Sequence, residues 1–76
     1  MSKQEPEVVV WTGRGCAACV RAKQLLDAKR VAFTERRLKP DPVIQRAFAR
    51  ATLGARTVPQ IIVGGENIGG FDDLIN

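Results

Sequence analysis

The chain has 76 residues, 45% hydrophobic and 26% charged, with twelve Lys or Arg against eight Asp or Glu and a net charge of +4. A chain of this size buries only about 60% of the surface it exposes when unfolded, which leaves room for one domain, spanning 1–76, and excludes a second. No apolar run is long enough to cross a bilayer, and the absence of His excludes cysteine–histidine catalysis.

The opening residues MSKQEPE are polar, and the apolar run Val8-Val9-Val10-Trp11 is too short for a signal-peptide core, so the expected setting is the cytoplasm with no membrane partner. Charge is unevenly placed. Residues 14–56 hold eleven Lys or Arg against Asp27, Glu35 and Asp41, while the last twenty residues carry only acids. A basic field serves a nucleic acid, an acidic protein or a small anionic substrate, or is simply a solvated helix face. No nucleic-acid partner is expected, because Trp11, Phe33, Phe48 and Phe71 sit in apolar contexts rather than among the basic residues.

In chain order, Glu7 to Thr12 is a β-branched apolar run bounded by Pro6 and Gly13, which predicts a buried strand. From Cys16 to Arg30 there is no Gly or Pro, and Ala18, Ala22, Leu25 and Leu26 recur at helical spacing, with Arg21, Gln24 and Asp27 directed elsewhere. Val31 to Arg36 reads as a second strand, stopped by Lys39-Pro40-Asp41-Pro42. Asp41 is then a natural N-cap, with Pro42 in the first helical position. Ile44, Ala47, Phe48 and Ala51 follow helical spacing up to Gly54. Gln60 to Val63 and Glu66 to Ile68 flank Gly64-Gly65 as a hairpin, and Gly69 to Leu74 begins a third helix. The order β-α-β-α-β-β-α predicts an α/β fold with a parallel crossover and helices on the faces of a four-stranded sheet.

Both cysteines fall in TGRGCAACVRAK, at the start of the first helix. Cys16 and Cys19 are one turn apart, within reach of a disulfide. The unpaired N–H groups of the helix start and the charge of Arg14 favour a thiolate at Cys16, the attacking form of sulfur in disulfide exchange. Cys19, deeper in the helix, suits the resolving role. Gly13 and Gly15 are expected to leave the backbone open to a bulky disulfide partner. With no further Cys and no His, one chain cannot complete a zinc site, and no metal is expected.

The segments VVVWTGRGCAACVRAKQLL and TVPQIIVGGENIGGFDDL, with the element order, resemble glutaredoxins, small thioredoxin-fold oxidoreductases that use glutathione. The similarity runs from about Val8 to Leu74. It implies a thioredoxin-like mixed sheet with flanking helices and a cis Pro59; family members carry a longer last helix, whereas the last helix here is expected to be short. Val58, with Thr57 alongside, would then offer its backbone to the cysteinyl part of glutathione. Gly69, Gly70, Phe71 and Asp72 match the turn that binds the γ-glutamyl carboxylate, and Asp72 or Asp73 would face the α-ammonium or simply cap the helix. Ala17 and Ala18 stand where the family has Pro and Tyr. Gly13 aligns with the family Lys, which leaves Arg14 or Arg56 to meet the glycyl carboxylate.

The resemblance implies a monomeric dithiol oxidoreductase, reduced by glutathione, acting on protein disulfides and glutathionylated proteins. Two alternatives stay open. One is a redoxin reduced by a flavoenzyme of the thioredoxin-reductase kind. The other is a carrier of a 2Fe-2S cluster, ligated by Cys16 of two chains and two glutathiones.

Overall fold

A computed structural model describes residues 6–71, so Asp72, Asp73 and the body of the expected third helix lie outside the described residues. The elements are β1 (Val8–Thr12), α1 (Ala17–Ala28), β2 (Thr34–Arg37), α2 (Pro42–Thr52), β3 (Gln60–Val63) and β4 (Glu66–Gly69). They build a four-stranded sheet in the order β2-β1-β3-β4. β2 runs parallel to β1, whereas β1 and β3, and β3 and β4, are antiparallel. This is the mixed sheet of a thioredoxin-like fold.

β1 is central and buried on both faces, so its apolar run needs no polar alternation. Successive side chains point to opposite faces of a strand. Val8 and Val10 accordingly pack with Ile61 and with Leu26 of α1, supported by Val31, Phe33 and Val63. Trp11 packs on the other face with Ile62 and with Phe48 of α2. The Trp11 and Phe48 rings meet edge to face at 5.3 Å between centroids, an arrangement that suits the ring quadrupoles. Over Trp11 lies the guanidinium of Arg36, 4.5 Å from the ring centre.

Element ends differ from expectation by one residue at β1 and β4 and by more at α1 and β2. α1 begins after Cys16 and stops at Ala28, because Lys29 and Arg30 turn the chain, with Arg30 at φ 58°. The second strand is Thr34–Arg37 rather than 31–36. Its apolar start, Val31 and Phe33, packs on the core without pairing, while the paired residues TERR are all exposed. Composition misleads here because the strand is an edge, held by its ladder to β1 and not by burial.

α2 starts as expected. Asp41 Oδ1 accepts from the N–H groups of Val43 (2.8 Å) and Ile44 (3.4 Å). Its end is capped by Leu53, not by glycine: Leu53 takes the left-handed conformation at φ 57°, and Gly54 N–H donates to the Ala49 carbonyl at 2.9 Å. A side chain in that region costs on the order of 1–2 kcal/mol, and Leu53 recovers little by packing since it is 91% exposed. Leu53→Gly is therefore expected to raise stability by about 0.5–1 kcal/mol, read as an increase of several degrees in the thermal midpoint. An unchanged or lower midpoint would mean that the leucine side chain has a role the cap geometry does not reveal.

Candidate active site

β1 ends at Thr12, and the loop of Gly13, Arg14 and Gly15 delivers Cys16 to the N-cap of α1. The Cys19 N–H donates to Cys16 Sγ at 3.0 Å, so the sulfur satisfies one of the orphan donors of the helix start. Cys16 and Cys19 form a disulfide, their Cα atoms 5.2 Å apart. Cys19 is only 2% exposed and Cys16 is half-buried, so only the first sulfur is open to an incoming partner.

Cys16 Sγ also lies 3.7 Å from the Val58 carbonyl oxygen. Val58 precedes Pro59 across a cis peptide bond, the isomer that the resemblance implies. The loop is anchored by buried Gln60, whose Nε2 donates to the Thr57 carbonyl (3.1 Å) and to its hydroxyl (3.4 Å). Gly13 does not leave space for a partner as expected. A Cβ there would lie 2.9 Å from Val58 Cγ2, so the glycine exists to let the two loops touch. Gly15, by contrast, has open space around it. Gly70 approaches Pro59 in the same way, with 3.3 Å from a built Cβ to the Pro59 carbonyl oxygen.

One hollow is walled by the sulfur pair, and another is lined by Ala18 between the two cysteines and by the Val58 loop that Cys16 faces. The larger, about 540 Å³, is lined by Ala18, Arg21, Thr57, Val58, Pro59, Gln60, Gly69, Gly70 and Phe71. It thus gathers Thr57, Val58, Pro59, Gly70 and Phe71 from segments more than ten residues apart in the chain. Arg14 and Arg56 are exposed and are not among its described lining residues, whereas Arg21 is. Arg21 falls three residues after Ala18, one turn on, and that spacing was the available signal.

The smaller hollow, about 280 Å³, is walled by Cys16, Cys19, Val20, Lys23, Glu35 and Arg37, with Thr12 and the glycine loop behind them. The buried Thr12 hydroxyl donates to Glu35 Oε2 at 2.7 Å, and Lys23 Nζ reaches Oε1 at 3.1 Å. The Thr12 hydrogen bond first, then Lys23, holds the Glu35 carboxyl below the usual glutamate range, with Arg37 adding a weaker pull from further away. None of these charged groups was identified from the sequence, because a carboxylate in β2 and a lysine in α1 meet only when the crossover packs.

A fold with a four-stranded mixed sheet, and a C-x-x-C disulfide at a helix start facing a Val-Pro loop, defines a thioredoxin-like thiol-disulfide oxidoreductase. Comparison with known proteins narrows the class. The glutaredoxin family model matches residues 8–68. A glutaredoxin of Pseudomonas aeruginosa is 45% identical over 69 residues, which is 91% of this chain and 81% of that one. The hybrid peroxiredoxin hyPrx5 of Haemophilus influenzae is 43% identical across 92% of this chain, and the match spans 28% of that longer protein. Among solved structures, glutaredoxin 1 of Francisella tularensis complexed with cacodylate is 34% identical with a TM-score of 0.74, over 92% of this chain and 88% of that one. The buckwheat glutaredoxin–glutathione complex is 32% identical with a TM-score of 0.76, over 92% and 66%. The chain belongs to the glutaredoxin family, whose members are disulfide oxidoreductases.

Two outcomes are expected from this geometry. Because the folded Glu35 carboxyl is lowered, its contribution is fully present above the ordinary glutamate range and is lost as pH falls through the folded value. The stability advantage of the wild type over Glu35→Gln should therefore be constant near neutrality and shrink on acidification, as followed by denaturant unfolding across pH. Gly13→Val should displace Val58 and lower kcat/KM for a disulfide substrate at least about tenfold, since small misplacements beside a reacting centre cost on that order. Steady-state kinetics on the folded variant would check it.

Proposed function

We propose that this glutaredoxin is glutathione-dependent and that Cys16 is its nucleophile. The observation that carries the reading is the position of Cys16 Sγ, half-exposed and 3.7 Å from the carbonyl of Val58, a residue that lines the larger hollow. Gly69, Gly70 and the Val58-Pro59 loop are among its lining residues, which suits a peptide-like ligand paired through its main chain with Val58. Arg21 supplies a cation for one of the two carboxylates of glutathione, with Arg14 and Arg56 as further cations close by in the chain. Gly70 and Phe71 mark the opposite end, where Asp72 and Asp73, outside the described residues, would complete the site for the γ-glutamyl group. The buckwheat complex with glutathione, on a similar fold, supports this reading.

In the forward step the Cys16 thiolate attacks the glutathione sulfur of a protein–glutathione mixed disulfide. The old S–S bond breaks, and its electron pair leaves on the protein thiolate, which takes a proton from water. A second glutathione thiolate then attacks the glutathione sulfur held on Cys16, releasing glutathione disulfide and restoring the Cys16 thiolate. With a protein disulfide as substrate, Cys16 forms the mixed disulfide with the protein. Cys19 then attacks Cys16 Sγ, which frees the reduced protein and produces the Cys16–Cys19 disulfide present in this structure. Such a cycle needs a pool of reduced glutathione, and the cytoplasm is the compartment proposed.

Cys16→Ser should abolish turnover of both substrate types. Cys19→Ser should retain cleavage of glutathionylated substrates and lose direct reduction of protein disulfides. Turnover by the Cys16→Ser protein would overturn the role assignment. Glutathione with glutathione reductase should sustain the wild-type cycle. If thioredoxin reductase sustained it instead, the glutathione reading would fall.

A further inference from the structure

The smaller hollow has no part in the cycle above, yet Cys16 belongs to its wall. Its floor is apolar where Val20 stands 49% exposed, and its rim is charged by Lys23, Glu35 and Arg37. Two of those three charges are already engaged. Glu35 accepts from the Thr12 hydroxyl at 2.7 Å and from Lys23 at 3.1 Å, so the carboxylate and the ammonium largely cancel. Arg37 is left. It is paired across the ladder with Thr12, two residues beyond Glu35 and on the same face of β2. It is exposed and forms no ion pair among the described residues. β2 is also an edge strand with all four residues exposed, so a partner reaches this rim without displacing any part of the fold. The site lies at the carboxyl ends of the parallel pair β1 and β2, the usual place for a ligand crevice in sheets of this kind.

We propose that this hollow docks the protein half of the substrate, and that the occupant is an acidic segment flanking the target cysteine, selected by Arg37. The inference rests on Cys16 being the attacking thiol, as set out under the proposed function. Charge complementarity is the ground for the occupant: with Lys23 and Glu35 paired to each other, Arg37 leaves the rim with a net positive charge. An acidic side chain beside the target cysteine meets Arg37 as its sulfur meets Cys16, whereas a basic one meets like charge. The exchange itself is unaltered: Cys16 sulfur bonds to the target sulfur, the target S–S bond breaks, and the electron pair departs on the leaving thiolate. A rim charge of this sort acts on encounter rate and specificity, and its effect is screened by salt.

The test uses symmetrical disulfides of three short peptides that share one central cysteine, flanked by Asp, Ser or Lys. Single-turnover oxidation of the pre-reduced protein is measured for each. Every rate is divided by that of dithiothreitol with the same peptide, which removes differences in intrinsic reactivity. The Asp peptide should be preferred over the Lys peptide by about tenfold at low salt, and the preference should vanish near 1 M salt, where the screening length is about 3 Å. Arg37→Ala should reduce the preference to below about threefold, and Arg37→Glu should invert it. Equal normalised rates for the wild type, or a preference that Arg37→Glu leaves intact, would overturn the proposal. Because these reactions contain no glutathione, the outcome is separable from the glutathione reading. Charge preference without glutathione-supported cycling would retain the docking site and remove that reading, and cycling without charge preference would do the reverse.

Discussion

Everything at the reactive end depends on β1 being held from both sides. It pairs with β2 through Val9 to Thr12 and with β3 through Val8 to Trp11, so the strand cannot slide without breaking two ladders. A shift of one residue would also exchange its faces, moving Trp11 off Phe48 and Val10 off Leu26. Trp11 and Val10 are almost completely buried, and that burial sets the register. Thr12 is the last residue so held. Its carbonyl accepts from the Leu38 N–H at 2.8 Å and its hydroxyl donates to Glu35, so the point from which the cysteine loop springs is fixed by two partners on the β2 side.

From that fixed point the loop has little freedom. Gly13 touches Val58, and Cys16 must then cap α1 while its sulfur faces the Val58 carbonyl. The half-exposed sulfur and the buried one are consequences of position in a single helical turn: Cys16 stands at the cap, and Cys19 turns inward towards the sheet with Ala22 and Leu26. The division of labour between two chemically identical thiols is thus geometric.

The two hollows differ in kind. The larger is lined by the Thr57-to-Gln60 and Gly69-to-Phe71 segments with one arginine and carries no described carboxylate. The smaller holds a fixed carboxylate, a lysine and an arginine around an apolar floor. A reactive sulfur that walls the smaller hollow and faces the Val58 carbonyl beside the larger can treat the two halves of a mixed disulfide differently, one through main-chain pairing and the other through charge.

What is local was legible in the order of the amino acids. The C-x-x-C at a helix start, the Asp41-Pro42 opening of α2, the Gly64-Gly65 turn and the order of the first six elements are set by spacing and caps within a few residues, and the structure has them in that order. The cis isomer of Pro59 was legible only through the family resemblance. The exposed edge strand β2 was shifted by the pattern onto Val31 and Phe33, because apolar residues that pack outside a ladder look the same in sequence as those that pair within it. It took the packing of the elements to show that Arg21 rather than Arg14 or Arg56 lines the larger hollow, that Gly13 serves contact with Val58, and that Thr12, Lys23, Glu35 and Arg37 share a wall with Cys16. The Gly13–Val58 contact alone joins residues 45 positions apart, and all these relations are set by strand register and by the side of α1 that meets the sheet. No periodicity within one element encodes either.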